Sequence, residues 1–377
     1  MSTITGDQQV TPGAAPGSAP PPSGHQAGQD LAAAQQVMSR VVGDMSAAMT
    51  CLMCALGVRL GLFARLRALG PVTSQELADD GRLDERYVRE WLLGMTSAGY
   101  VDVDRRSGRF GLAPGVAEVV AGGAFDMTGG YALIPPLTSM LAPVGELFMT
   151  GGGLGPDRYP DDLYVAMELM SASWLDTMLV HQWVPSVTGL AERLAEGARV
   201  ADVGCGGGRA LLLLAQAFPR SEFVGYDSNP AMIEWARKGA GLTEAGERIT
   251  FVSGDATDAL EGPFDLVTAF EVLHDAPDPH RLLRRIATAV QPDGVLLLLE
   301  SKSADDPLGN TGAAATILYA TSVLYCLPAS RGEGGPGLGT LGLPPARIRE
   351  WCAASGFRSI RTVPNASPFS QLYEIRP

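Results

Sequence analysis

The chain has 377 residues, 46% of them apolar and 18% charged, which is enough for two or three folding units with a sizeable core. Its 41 acidic residues against 28 basic ones give a formal net charge of −13, which argues against a surface built to neutralise nucleic-acid phosphates. No run approaches the ~20 consecutive apolar residues of a membrane-crossing helix, and no basic-then-apolar leader opens the chain. Five irregularly spaced cysteines predict a reduced, cytoplasmic protein rather than a disulfide framework.

Residues 1–30 are rich in Pro, Gly, Ala, Gln and Ser, and they predict a disordered tail because they cannot bury enough to offset chain entropy. Residues 31–120 read as helices followed by a two-stranded wing. "SAAMTCLMCALGVRLGLFARLRAL" is a long apolar helix in which Cys51 and Cys54 serve as filler. "VTSQELADD" starts a second helix, with Thr73 or Ser74 as cap and Glu76 in its first turn. "LDERYVREWLLGMTSAGY", opened by Asp84, is a third, and "YVDVDRRSGRFGLA" alternates about a Ser-Gly turn as a hairpin.

That order is the order of a winged helix-turn-helix. Between Ser46 and Val120, however, nine basic residues meet nine acidic ones, and Arg86 and Arg89 share their helix with Asp84, Glu85 and Glu90. A DNA reader should be visibly basic. This half is therefore expected to be a dimerisation platform that binds no nucleic acid.

Residues 121–185 form a helical linker or substrate cap, where Trp174 and His181 either line a ligand cavity or pack a connecting helix. From residue 186 to 377 strands and helices alternate. Apolar runs fall at Arg199–Gly204, Glu222–Asp227, Ile249–Val252, Phe264–Phe270 and Gly294–Glu300. "FRSIRTV" and "SQLYEIR" follow, joined by a segment too short for a crossover helix. The prediction is an α/β fold: a seven-stranded, doubly wound, Rossmann-like sheet ending in an antiparallel hairpin. An apolar helical insertion within about 303–340 is expected to roof an acceptor pocket, with Tyr319 and Tyr325 against the substrate.

"VADVGCGGGRA" lies at the end of the first of these strands, where such sheets bind ligands. The dinucleotide spacing G-x-G-x-x-G would put Arg209 where close helix–strand packing needs a small residue. The register that fits is Gly204, Gly206 and Gly208, preceded by Asp202. A carboxylate repels a pyrophosphate but suits the ammonium and sulfonium of S-adenosylmethionine. Asp227, ending the second strand, is placed to accept from ribose hydroxyls. Asp255, ending the third, is placed to accept from the adenine amino group while Ala256 offers a backbone N–H; each acid alone also reads as a turn or cap.

"VADVGCGGGRA", "VGYDSNP", "SGDATD" and "FDLVTAFEVLHDAPDP" together resemble the class I S-adenosylmethionine-dependent methyltransferases. With a winged-helix half in front, the chain is similar to the small-molecule families that include plant O-methyltransferases and bacterial natural-product tailoring enzymes. The resemblance covers about Leu31 to the end. It implies S-adenosyl-L-methionine as cofactor, Phe270 beside it, and a small, apolar or aromatic acceptor. It also implies His274 as the base that takes the acceptor proton, steadied by Glu300; the alternative is that His274 caps the next helix. His274, Asp275 and His280 match no standard ligand spacing, so no metal is expected. Two other readings remain open: a winged-helix regulator that senses a ligand, and a methyltransferase fold used for non-methylating chemistry.

Overall fold

Near-continuous apolar runs between amphipathic helices give parallel strands covered on both faces. In the computed structural model, which describes residues 24–123, 125–364 and 367–377, these runs form one seven-stranded sheet. Its strands are β3 (Arg199–Val203), β4 (Glu222–Asp227), β5 (Ile249–Ser253), β6 (Phe264–Phe270), β7 (Val290–Ser301), β8 (Ser359–Val363) and β9 (Ser370–Arg376), after a wing hairpin of β1 (Val101–Asp104) and β2 (Arg109–Leu112). The order is β5-β4-β3-β6-β7-β9-β8. The chain winds outward from β3 to β5, then restarts at β6 on the other side of β3. That reversal between β3 and β6 is where an open α/β sheet leaves a crevice beyond its strand ends. β9 inserts antiparallel between β7 and β8, as the short "PNASPF" connection predicts.

Strand periodicity divides the core. Leu297 and Leu299 of β7 face a cluster with Trp183, Leu211, Leu214 and Phe223, whereas Leu296 and Leu298 face Val267, Leu283, Ile286 and Cys352. β7 starts at Val290, earlier than the predicted Gly294, because Phe264 pairs with Val290 before a register shift.

The chain divides into two units, residues 1–50 and 51–377. In the first, residues 1–23 of the expected tail lie outside the described residues. Residues 24–30, also assigned to that tail, are instead helical and open α1 (Gly24–Arg59), whose residues up to 50 expose Leu31, Met38, Val41, Val42, Met45 and Met49.

In the second unit, α2 (Leu62–Leu69), α3 (Ser74–Gly81), α4 (Glu85–Ser97) and the wing close around Phe63, Leu66, Leu77, Leu92 and Met95. Trp91 meets Phe63 edge-on at 5.1 Å. Thr73 caps α3 in a reciprocal box with Glu76. On α4, Arg86 pairs with Glu90 and Arg89 with Glu85, so each arginine of this helix has a glutamate of the same helix beside it.

Among the described residues two helices, Asp30–Arg59 and Gly312–Gly332, are long and apolar enough to cross a membrane by length and composition, with mean hydropathy 1.7 and 1.4. This departs from the expectation of no such segment. Ala, Ser, Thr and Gly interrupt the strongly apolar runs without lowering the average much. In the second of these helices Ser322, Cys326, Pro328 and Ser330 are buried.

Candidate active site

The turn after β3 is built from backbone that a side chain would block. Gly204 and Gly206 adopt φ of 68° and 52°, the left-handed region that favours glycine. A Cβ at Gly204 would stand 2.4 Å from Val272 Cγ2. Gly208, also left-handed, caps the helix Arg209–Ala217. Arg209 turns outward to pair with Asp176, its Nε donating to Oδ1 at 2.7 Å, so its bulk never meets the sheet.

Carboxylates converge on this turn. Asp202 is 3% exposed and accepts from Thr268 Oγ1 at 2.6 Å. Burial pushes its carboxyl up to about 7; the Thr268 bond opposes the rise, and Asp227 and Glu168 add to it. Asp227 fastens the turn to β4: Oδ2 accepts from Gly206 N–H at 2.9 Å and Oδ1 from Asn229 N–H at 2.8 Å. Burial raises it as well, against both of those bonds. Asp255 caps the short helix Ala256–Ala259 through Thr257 N–H at 2.8 Å, and Ala256 is buried behind it.

A further acid, absent from the motif reading, completes the set. Glu168, on the helix Asp161–Trp174, accepts from Gly207 N–H at 2.6 Å, and its pKa is raised mainly by burial. At the surface nearby, Glu333 is raised by partial burial and by Asp255, Asp275 and Asp227. Among the described residues, none of Glu168, Asp202 and Asp227 forms an ion pair with a basic side chain.

A second cluster lies past β6. His274, 2% exposed, shares a hydrogen bond between Nδ1 and Glu300 Oε2 at 2.7 Å, and Glu300 Oε1 accepts from Leu273 N–H at 2.9 Å. His274 Nε2 lies 3.5 Å from Asp275 Oδ1, a buried oxygen without a hydrogen-bond partner. Burial alone would lower the histidine's pKa, but the Asp275 and Glu300 carboxylates outweigh it and hold the ring well above its ordinary value. Ser301 Oγ donates to Glu271 Oε2 at 2.7 Å beside this pair, and Glu271 adopts φ of 56°.

Cys326 joins His274 and Asp275 so that one nitrogen, one oxygen and the sulfur lie within 4.8 Å of one another. Burial pushes that thiol up to about 11, and Thr340 Oγ1 lies 2.9 Å from the sulfur. His280 is not part of the group; its ring lies tilted against Trp351 at 4.0 Å, beside a cavity of about 410 Å³ lined by none of the glycine-turn residues nor by His274.

The expected pocket residues separate. Tyr325, on a widened π-helical turn at Ser322–Cys326, meets Tyr159 edge-on at 5.1 Å, and Asp275 is among the acids that raise its pKa behind burial. Tyr319, by contrast, is 42% exposed and donates to Pro307 O at 3.2 Å, so it is not brought to the cluster. His181 is exposed and is likewise not brought there. Trp174 and Phe270 pack against Trp183 at 5.4 and 5.6 Å, so the ring contacts of both are with core aromatics. Around Tyr159 and Tyr325 lie Leu133, Leu137, Met140, Val144 and Leu163, an apolar wall drawn from the 121–185 helices.

Comparison with known proteins gives two family matches. Residues 175–358 match the model of a methyltransferase domain, and residues 47–121 match that of the Rv2258c-like winged HTH domain. The trans-aconitate 2-methyltransferase of Streptomyces coelicolor is 34% identical over 114 residues, which are 30% of this chain and 38% of that protein. The alignment thus spans well under half the length of that relative. Among solved structures, human N-acetylserotonin methyltransferase in complex with SAM superposes with a TM-score of 0.65 at 20% identity, covering 90% of this chain and 97% of that one. CalO1, a methyltransferase in calicheamicin biosynthesis in its SAH-bound form, does so with a TM-score of 0.62 at 20% identity, covering 92% and 98%. At these identities the two structures establish the shared fold.

Proposed function

We propose that this chain, a class I S-adenosylmethionine-dependent methyltransferase with a winged-helix front half, methylates a small apolar or aromatic metabolite of the natural-product kind. The observation that carries the reading is the bare turn at Gly204–Gly208, faced by Glu168, Asp202 and Asp227, to which no basic side chain among the described residues is paired. Such a set repels a pyrophosphate and is relieved by a cation, so these residues fit the donor. When bound, S-adenosylmethionine supplies an electrophilic methyl group on a sulfonium. Asp227 is assigned to the ribose, Asp255 and Ala256 to the adenine, and Asp202 with the glycine backbone to the amino-acid end.

Acceptor chemistry is assigned to the second cluster. Asp275 Oδ1, 3.5 Å from His274 Nε2 and without a hydrogen bond of its own among the described residues, is assigned to an O–H or N–H of the substrate. His274, fixed at Nδ1 by Glu300, is assigned to balance the acceptor's anion while the two carboxylates hold it protonated, and to take the acceptor proton from its neutral form. Tyr159 and Tyr325 provide aromatic walls, and the clustered apolar helices favour a substrate with little charge. Holding the nucleophile in line with the methyl can itself contribute ~7–11 kcal/mol.

The winged half is assigned to pairing of two copies, because both arginines of α4 are paired with glutamates of the same helix and α1 exposes an apolar stripe. The test uses the purified full chain with S-adenosylmethionine and a panel of phenolic and enolic acceptors. His274→Ala should lower turnover by roughly 10²–10⁴-fold with donor affinity unchanged. An unimpaired rate would remove His274 from the chemistry, and consumption of acceptor without formation of S-adenosylhomocysteine would favour the non-methylating use of the fold.

A further inference from the structure

We propose that Glu168 recognises the α-ammonium group of the donor and so selects an adenosyl ligand that carries an amino acid over one that does not. The inference rests on the donor reading above and adds a residue that belongs to neither the sheet nor the glycine motif.

Glu168 reaches the turn from 39 residues upstream, where its Oε1 accepts from Gly207 N–H at 2.6 Å. A Cβ at Gly206 would stand 2.8 Å from Oε1, and one at Gly207 2.9 Å from the carboxyl carbon. Two glycines are therefore bare partly to admit this carboxylate. The carboxylate stands at Gly207, the residue before the N-cap of the helix Arg209–Ala217, next to an end that a phosphate would otherwise favour.

Among the described residues Glu168 forms no ion pair. Arg209 is close enough to lower the Glu168 pKa but is committed to Asp176, and among the described residues the hydrogen bond Glu168 receives comes from a neutral amide. Asp227 adds repulsion. A half-buried carboxylate so placed gains most from a cation with N–H groups to donate. With the ribose at Asp227 and the methyl directed toward His274, the end of the donor left for the turn is its amino acid. The ammonium is the group there that Glu168 attracts, and the donor's own carboxylate is the group it turns away.

The experiment is calorimetric titration of the full chain with two ligands. S-adenosylhomocysteine carries the ammonium; 5′-methylthioadenosine keeps the adenosyl thioether and lacks the amino acid. Glu168→Gln retains an oxygen for Gly207 N–H and removes only the charge. It should weaken S-adenosylhomocysteine by roughly 10–100-fold, as expected for loss of a charged hydrogen bond, while leaving 5′-methylthioadenosine within about twofold. Glu168→Asp should restore part of the difference. Equal weakening of both ligands, or of neither, would overturn the assignment and leave the donor reading intact. A wild-type chain that takes up neither ligand would overturn the donor reading and this inference together.

Discussion

Asp202 offers the most quantitative test of the donor crevice. Its carboxyl ordinarily titrates at 3.8 and is pushed up to about 7 by burial, with Asp227 and Glu168 adding to the effect. Because the folded value is raised, the folded chain holds the proton between about pH 4 and pH 7 and the unfolded chain does not. Stability from this group is therefore full below about pH 4 and falls as pH rises toward 7, by about 4 kcal/mol in total at 1.36 kcal/mol per pH unit. A cation bound nearby favours the ionised form. Donor binding should then release close to one proton around pH 6, and affinity should climb by up to about tenfold per pH unit before levelling above pH 7. Calorimetry of S-adenosylhomocysteine in two buffers of different ionisation enthalpy reads the proton directly. Asp202→Asn keeps an oxygen for Thr268 Oγ1 and cannot titrate, so its melting temperature should exceed that of the wild type at pH 8 and match it more closely at pH 5. No proton release, or identical pH slopes in both proteins, would refute the argument.

Asp227→Ala should weaken donor binding by roughly 1–3 kcal/mol, since it loses a charged acceptor and releases Gly206 N–H; calorimetric affinity reads this. Gly204→Ala combines a φ of 68° with a Cβ 2.4 Å from Val272, so it should lower the melting temperature and donor affinity together, at a cost of about 1–3 kcal/mol. If the exposed stripe of α1 pairs two copies, Met45→Glu should shift the species seen by light scattering from dimer to monomer with the circular dichroism spectrum unchanged. A dimer surviving that substitution would move the interface elsewhere.

The strand pattern was legible because period 2 and period 3.6 alternate cleanly after Arg199, and because a six-residue link can join β8 to β9 only as a hairpin. The glycine turn was legible for a local reason: its residues are contiguous. Glu168 was not, because in sequence it is one charge on an amphipathic helix, and only the packing of that helix over the turn gives it a partner. Tyr319 and Tyr325 show the same limit from the other side. Six residues apart on a helix, they point in directions about 120° different, so one position in the chain could not serve both. The widened turn at Ser322–Cys326 then re-aims Tyr325 and Cys326. Trp174 and His181 part in a similar way: seven residues nearly close two turns of an α-helix, but the π-helical Leu175–Trp183 removes that coincidence and leaves His181 at the surface.

The two clusters make opposite demands on catalysis. Glu168 and Asp227 are assigned to parts of the donor that do not change charge when the methyl leaves. They hold ground state, transition state and product alike, and such uniform binding lowers KM without raising kcat. His274, Asp275 and Glu300, which contact one another, are assigned to the acceptor's developing charge, and on that assignment their effect belongs to the barrier itself. Substitutions at the first pair should therefore raise the KM for donor, and the inhibition constant of S-adenosylhomocysteine in step with it, at near-constant kcat. Substitutions at His274 should do the reverse. Steady-state kinetics with product inhibition separates the two, and a variant of Asp227 that lowered kcat alone would place that acid at the reacting end, contrary to its assignment to the ribose.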